Sequence, residues 1–317
     1  NEPQPKVSST QGYGRVDKAA AWLLLARLYM NAEVYTGTAD WADAKTYAKK
    51  VIDSPYKLYT AKKGQWSAYQ QLFMGDNGEN GSSVEAIFPI LQDGKKTTSW
   101  GTTLFLMAGC NDNKERVKSA TEKGNNTTEG WAGNRMRPDL VQKFFPNNDA
   151  PNISAYAMPA AADDDRALFD GDGRNVTNGD DENGVKVFTN GFSVCKFNNF
   201  KTDGSAGHDS KFPDADFFLM RAAEAYLMYA EADARQNGGT TTADGAKYIN
   251  ELRSRAHATT YTAYSLRQIC DEWSREFYFE GLRRTTLIRF GYFGGNVNYN
   301  WSWKGGVKNG RNFDAHF

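Results

Sequence analysis

The sequence predicts a mainly α fold: helical hairpins interrupted by a long, irregular, partly β insert. Three observations lead there. Apolar and small residues recur at spacings of three and four near both ends of the 317-residue chain. Between those regions, residues 75–215 are dense in Gly, Asn, Asp and Thr, with only short strand-like pieces. The longest apolar run, Ala19 to Ala26, is far short of the ~20 residues a membrane-spanning helix needs.

The elements follow in order. From Gly14 to Asn31, Ala19, Trp22, Leu23, Ala26, Tyr29 and Met30 form one stripe, with Asp17 in the first turn where the helix dipole favours an acid. A second helix, Trp41 to Val51, carries Trp41, Ala44, Tyr47, Ala48 and Val51 on one face, and residues 14–52 form the first hairpin. Small residues at Ala26 and Ala48 let the two helices approach closely, as in a tetratricopeptide unit; one clear unit does not make a solenoid. Short strands are expected at Ala86–Leu91 and Lys186–Phe188. A C-terminal helical region, residues 216–284, then supplies helices over Phe217–Ala234, Gly245–His257 and Ser265–Glu280, the last closed by Gly281. Trp22, Trp41 and Trp273 lie on helix faces and belong to the core. A loop region as long as 75–215 is uncommon inside a folded domain unless it is functional, so a site is expected there.

Composition narrows the function. Lys+Arg and Asp+Glu are 38 each, so no net field attracts nucleic acid or an anionic membrane. Cys110, Cys195 and Cys270 form no C-x-x-C pair and read as buried thiols. No G-x-S-x-G elbow, H-E-x-x-H or Walker loop occurs, and His208, His257 and His316 are scattered. The acids at Asp163–Asp165 and Asp180–Glu182 read as turn residues, not as a glycosidase pair. The stretch Asp76–Gly81 begins like a calcium loop, but Glu85 falls too early for an EF-hand, so it reads as a turn. Asp214 and Asp216 either cap a helix at Phe217 or chelate a hard cation, with capping the simpler reading. Aromatic residues are 14% of the chain, with eight Trp and sixteen Tyr, which suits a ligand that is both hydroxylated and rich in C–H faces.

Four ordered segments resemble the SusD/RagB family: G-R-V-D-K-A-A-A-W-L-L-L-A-R-L-Y (Gly14–Tyr29), R-A-A-E-A-Y-L-M-Y-A-E-A (Arg221–Ala232), I-N-E-L-R-S-R-A (Ile249–Ala256) and E-W-S-R-E-F-Y-F-E-G-L-R-R (Glu272–Arg284). The likeness to the family's starch-binding founding member extends through Leu72–Asn77, Gln92–Thr97, Thr127–Trp131 and Trp303–Gly306. The resemblance implies one SusD-like domain over residues 1–317, with a lipid-bearing cysteine and further N-terminal portion before it and a final segment after Phe317. It also implies a non-catalytic surface lipoprotein of Bacteroidetes that binds starch or maltooligosaccharide and works beside a TonB-dependent outer-membrane transporter.

The expected sugar platform is Trp100 and Trp131, at positions where the founding member has a tyrosine and a tryptophan. Their own setting agrees: each lies in a polar, glycine-flanked stretch with no helical stripe to bury it, and an exposed indole needs a reason. By the same resemblance Trp301 and Trp303 belong to a C-terminal segment that packs against the helices. Some relatives carry calcium beside the glycan, which points to Gln92, Asp214 and Asp216 as a metal set, although no cofactor is required. The competing readings are a binder of a different polysaccharide, a protein-docking scaffold without glycan affinity, and a glycoside hydrolase.

Overall fold

A computed structural model describes residues 2, 12–112, 125–176, 187–293 and 299. Helix α1 (Lys18–Met30) begins after Asp17, whose carboxylate accepts the Ala20 N–H at 3.1 Å and the Tyr56 hydroxyl at 2.7 Å. Asp17 is thus the cap itself, one position outside the helix. A short α2 (Ala32–Thr36) ends at Gly37 in the left-handed region, and α3 (Trp41–Ile52) starts under an Asp40 cap. Then come α4 (Ala68–Gln71), a 3-10 turn at Ser82–Glu85, β1 (Ala86–Ile90), α5 (Thr102–Ala108), α6 (Pro138–Val141) and α7 (Met158–Ala161). The two-residue strands β2 (Phe169–Asp170) and β3 (Ser193–Val194) pair antiparallel. The chain continues through β4 (Phe217–Arg221), α8 (Ala222–Gln236), α9 (Ala243–Arg255), α10 (Leu266–Phe277) and α11 (Arg283–Arg289).

The hairpins from opposite ends of the sequence share one core. Helix α8 lies between α3 and α9 and also meets α1 and α10. From Ala222 to Ala234 every residue of α8 is buried. The alanines of α8, with Ala19, Ala26, Ala44 and Ala48, let these backbones close up around Leu23, Met30, Ile249, Leu252 and Trp273. Burying a whole helix requires a partner for each of its charges. Glu224 takes Arg27 at 2.6 Å, Asp233 takes Lys45 at 2.6 Å, and Glu231 takes Arg289 at 2.7 Å and the Trp273 indole N–H at 2.9 Å. Trp273 is buried as expected, whereas Trp22 and Trp41 are half-buried against the core's edge.

Four expectations change on the fold. Phe217–Arg221 is a strand, not the first turns of a helix: it pairs antiparallel with β1 in a register broken by bulges, Ala86 opposite Arg221 and Ile90 opposite Phe217. Phe218 and Ala222 fit a helical stripe, but the bulky aromatics suit a pleated surface, and the strand delivers Arg221 into the interior. Asp214 and Asp216 therefore cap nothing; the extended residue before α8 is Arg221. Helix α10 starts from a Ser265–Gln268 capping box and ends at Phe277, and Gly281 adopts its left-handed φ of 82° in the turn leading to α11, a helix the sequence pattern did not announce. Val187 and Phe188 lie in no strand; the Phe188 ring packs beside Arg174 (4.6 Å) and Arg135. Lys186, Asp180–Glu182, Trp301, Trp303, the Trp303–Gly306 match and His316 lie outside the described residues.

A buried ionic network joins insert to helices. Arg166 reaches Asp164 (2.8 Å) and Glu272 (2.6 Å), Arg221 reaches Glu276 (2.6 Å), Glu280 (2.7 Å) and Glu85 (2.9 Å), and Arg255 pairs with Glu85 (3.0 Å) and Glu276. Burial alone would raise the carboxyls of Glu272 and Glu276, but the surrounding guanidiniums outweigh it and hold both well below the usual range. Lys196 sits among Tyr69, Phe73 and Tyr278, donates to Glu280 at 2.6 Å, and is pushed down to about 8 by burial. All three cysteines are buried and free.

Candidate functional site

Helix α5 organises the region around Trp100 and Trp131. Trp100 precedes Gly101, the residue at the N-cap of α5. At the other end, the segment 131–133 is stapled to the last helix carbonyl and to two just beyond it: Trp131 N–H to Ala108 O (2.8 Å), Ala132 N–H to Asn111 O (2.9 Å) and Gly133 N–H to Gly109 O (2.9 Å). Thr102 (φ 50°) and Ala132 (φ 52°) both hold the left-handed region, which is costly for a residue with a Cβ. One follows Trp100 by two positions and the other follows Trp131 by one, so backbone strain accompanies both rings.

The two indoles come together: their ring centres are 6.2 Å apart with planes inclined by 29°. Trp100 is 55% exposed and Trp131 39%. The back of the pair is filled. Phe212 meets Trp100 edge-on at 5.5 Å, and the Lys211 ammonium stands 5.1 Å from the same ring. Lys211 also pairs with Glu129 at 3.3 Å, and Glu129 accepts the Trp131 indole N–H at 3.1 Å. A chain of Trp131, Glu129, Lys211 and Trp100 therefore fixes both rings from behind. It also consumes the one hydrogen-bond donor of Trp131, leaving that residue to act through its ring face. Phe105, on the outward side of α5, lies beside Trp131 with centres 6.1 Å apart and planes at 57°. The sequence reading passed over Phe105 and α5 because a seven-residue helix shows too little periodicity; the signal available was a large apolar residue beside buried Leu104.

Gln92, Asp214 and Asp216 also converge, but as loop staples. Asp216 accepts the Gln92 N–H (2.7 Å) on one oxygen and the Tyr13 hydroxyl (2.6 Å) on the other. Asp214 accepts Gly94 N–H and His208 N–H, each at 2.8 Å, and the Gln92 side-chain oxygen accepts the Thr102 hydroxyl at 2.9 Å. Calcium calls for six to eight converging oxygens. Here each carboxylate oxygen accepts one protein donor and keeps a second lone pair. Among the described residues, Asp93, His208 and Asp214 place one ligating atom each within 4.8 Å of one another. The staples press the 92–97 loop against the segment bearing Lys211 and Phe212: a Cβ on Gly94 would lie 2.3 Å from Phe212 O.

Other features take structural roles. Asp76–Asn80 is a turn closed by Glu79 N–H and Asn80 N–H on Asp76 O, and the Asp76 carboxylate accepts Thr202. Asp165 faces His257 at 2.7 Å. A cavity of about 1060 Å³ opens elsewhere, between α9 and the 57–62 segment, and neither tryptophan lines it.

The helical frame with an irregular insert is that of SusD-like structures. The structure aligns with a SusD superfamily protein from Parabacteroides distasonis at a TM-score of 0.57 and 15% identity, over 93% of this chain and 59% of that one. It aligns with surface glycan-binding protein A from Bacteroides thetaiotaomicron, solved in complex with laminarihexaose, at a TM-score of 0.55 and 20% identity, over 95% of this chain and 61% of the other. Residues 170–317 match the SusD family. The starch-binding protein SusD of Bacteroides thetaiotaomicron is 42% identical over 96% of this chain. The chain belongs to the SusD family, and it spans 57% of that relative's length.

Proposed function

We propose that this chain binds a starch-type α-glucan without chemical turnover, stacking sugar rings on Trp100 and Trp131. The observation that carries the reading is the pair of half-exposed indoles, 6.2 Å apart and braced from behind. A pyranose laid on such rings buries its C–H faces and leaves its hydroxyls in water, and two rings inclined to each other suit a curved chain better than a flat ribbon. The 42% identical relative is a starch-binding protein, and the family is one of carbohydrate binders without catalytic chemistry. Glu129 is committed to the Trp131 indole N–H and to Lys211.

The same relationship supports work at the bacterial outer surface beside a TonB-dependent transporter, on a lipid anchor. Among the described residues no helix is long and apolar enough to cross a membrane. Native gels cast with starch or with laminarin test the ligand class. Starch is expected to retard the protein, and Trp100→Ala and Trp131→Ala each to cost about tenfold in affinity, about 1.4 kcal/mol. Retention by laminarin alone would move the reading to a β-glucan, and release of reducing ends from maltooligosaccharides would overturn the non-catalytic reading.

A further inference from the structure

We infer that Phe105 is a third ligand-contacting ring, which extends the Trp100–Trp131 platform along the outer side of α5; the inference rests on the reading of that platform as a sugar-binding surface. On α5, Thr103, Leu104, Met107 and Ala108 are buried and anchor the helix, while Phe105 turns outward and is 49% exposed. A phenylalanine has no polar tip to wet, so the half of its surface left in water is wholly apolar, unlike that of an exposed tyrosine or tryptophan.

Its placement supplies the reason. The Phe105 ring adjoins Trp131 at 6.1 Å, about the spacing at which Trp131 adjoins Trp100, 6.2 Å. The planes turn by 29° across the first junction and 57° across the second, so the strip continues past Trp131 and bends more sharply. The position is rigid: Phe105 N–H donates to Gly101 O at 3.3 Å, and Gly109 N–H donates to Phe105 O at 3.0 Å. Phe212 is the contrasting case, since it meets Trp100 edge-on from the Lys211 side and is half-buried as a support. A ring without donor or acceptor contributes only by covering C–H groups, so its benefit appears when the ligand is long enough to reach it. The ligand class is accordingly a glucan chain that occupies three successive rings, not a mono- or disaccharide.

The test is calorimetric titration with maltooligosaccharides and, in parallel, laminarioligosaccharides of increasing length, for the wild-type chain, Phe105→Ala, Phe105→Trp, Trp100→Ala and Trp131→Ala, with melting temperatures for each. Phe105→Ala is expected to lose about three- to tenfold in affinity for the longest oligosaccharides, little for the shortest, with an unchanged melting temperature. Phe105→Trp is expected to restore the length dependence. Wild-type affinity at every length for Phe105→Ala, while Trp131→Ala is impaired, would overturn the third ring and leave the platform standing. A uniform loss at all lengths with a lowered melting temperature would overturn it too, by making Phe105 a support for Trp131. If neither tryptophan substitution has any effect, the platform itself fails.

Discussion

Trp100 and Trp131 were legible because nothing local could bury them: each stands among Ser, Gly and Asn, away from any apolar stripe. What held them was not legible. Glu129 and Lys211 are 82 residues apart, and their 3.3 Å pairing exists only once the 208–216 segment folds against α5's flank. Replacing Glu129 by alanine frees the Trp131 N–H and Lys211 together; a several-fold loss of glycan affinity at an unchanged melting temperature is expected, with a shift in tryptophan emission as the direct readout. Asp214 and Asp216 were found stapling loops, since side-chain type in a sequence does not reveal which N–H will point at a carboxylate. Asp214→Ala should weaken glycan retention by releasing the Gly94 and His208 amides, and a lowered melting temperature or weaker retention on chelation with EGTA is the outcome that calcium at these acids requires.

Among the elements, the long stripes were readable because their period is expressed over several turns. Helices α1, α3, α9 and α10 all fall within a few residues of their expected positions, and the caps Asp17, Asp40, Thr242 and Ser265 explain where each begins. Asp17→Ala removes one such cap and the Tyr56 hydroxyl's acceptor; a loss of about 1–2 kcal/mol in denaturant unfolding is expected. Short elements were read unevenly: the strand expected at Ala86–Leu91 is β1, whereas α5 was not foreseen. Helix α5 starts from Gly101 without a side-chain cap and lasts seven residues, yet it carries the candidate site. Strand β4 was mistaken for a helix because five residues such as F-F-L-M-R satisfy either period, and only its pairing partner, 131 residues away at Ile90 to Ala86, decides between them.

At the scale of the molecule, the insert is locked to the helices by charge. Arg166 and Lys196 from the insert, with Arg221 and Arg255, converge on Glu272, Glu276 and Glu280, and Arg221 and Arg255 also hold Glu85 before β1. Removing one member leaves its partners buried and uncompensated, so Arg221→Met should cost about 3–5 kcal/mol, measured as a lowered melting temperature. The depressed carboxyls of Glu272 and Glu276 give the sign of the pH dependence. Their ordinary value is 4.5, so the stabilisation is complete above that pH and drains away as the pH falls toward the lower folded-state values. The melting temperature is expected to be level from pH 7 to about 5 and to fall steadily below about 4.5.

The sequence by itself determined the long helices of the frame and the exposure of two tryptophans, because periodicity and polarity are local properties written in neighbouring residues; that α8 is buried on every side came from its packing. The segment E-W-S-R-E-F-Y-F-E-G even displayed the acids of the network, though not their partners. Tertiary structure alone decided that Phe217–Arg221 is a strand, that Asp214 and Asp216 staple loops, and that Phe105 stands next to Trp131. Each of those outcomes depends on groups far apart in the chain, whose pairing is settled by which backbone and side-chain donors remain to be satisfied once the helices have packed.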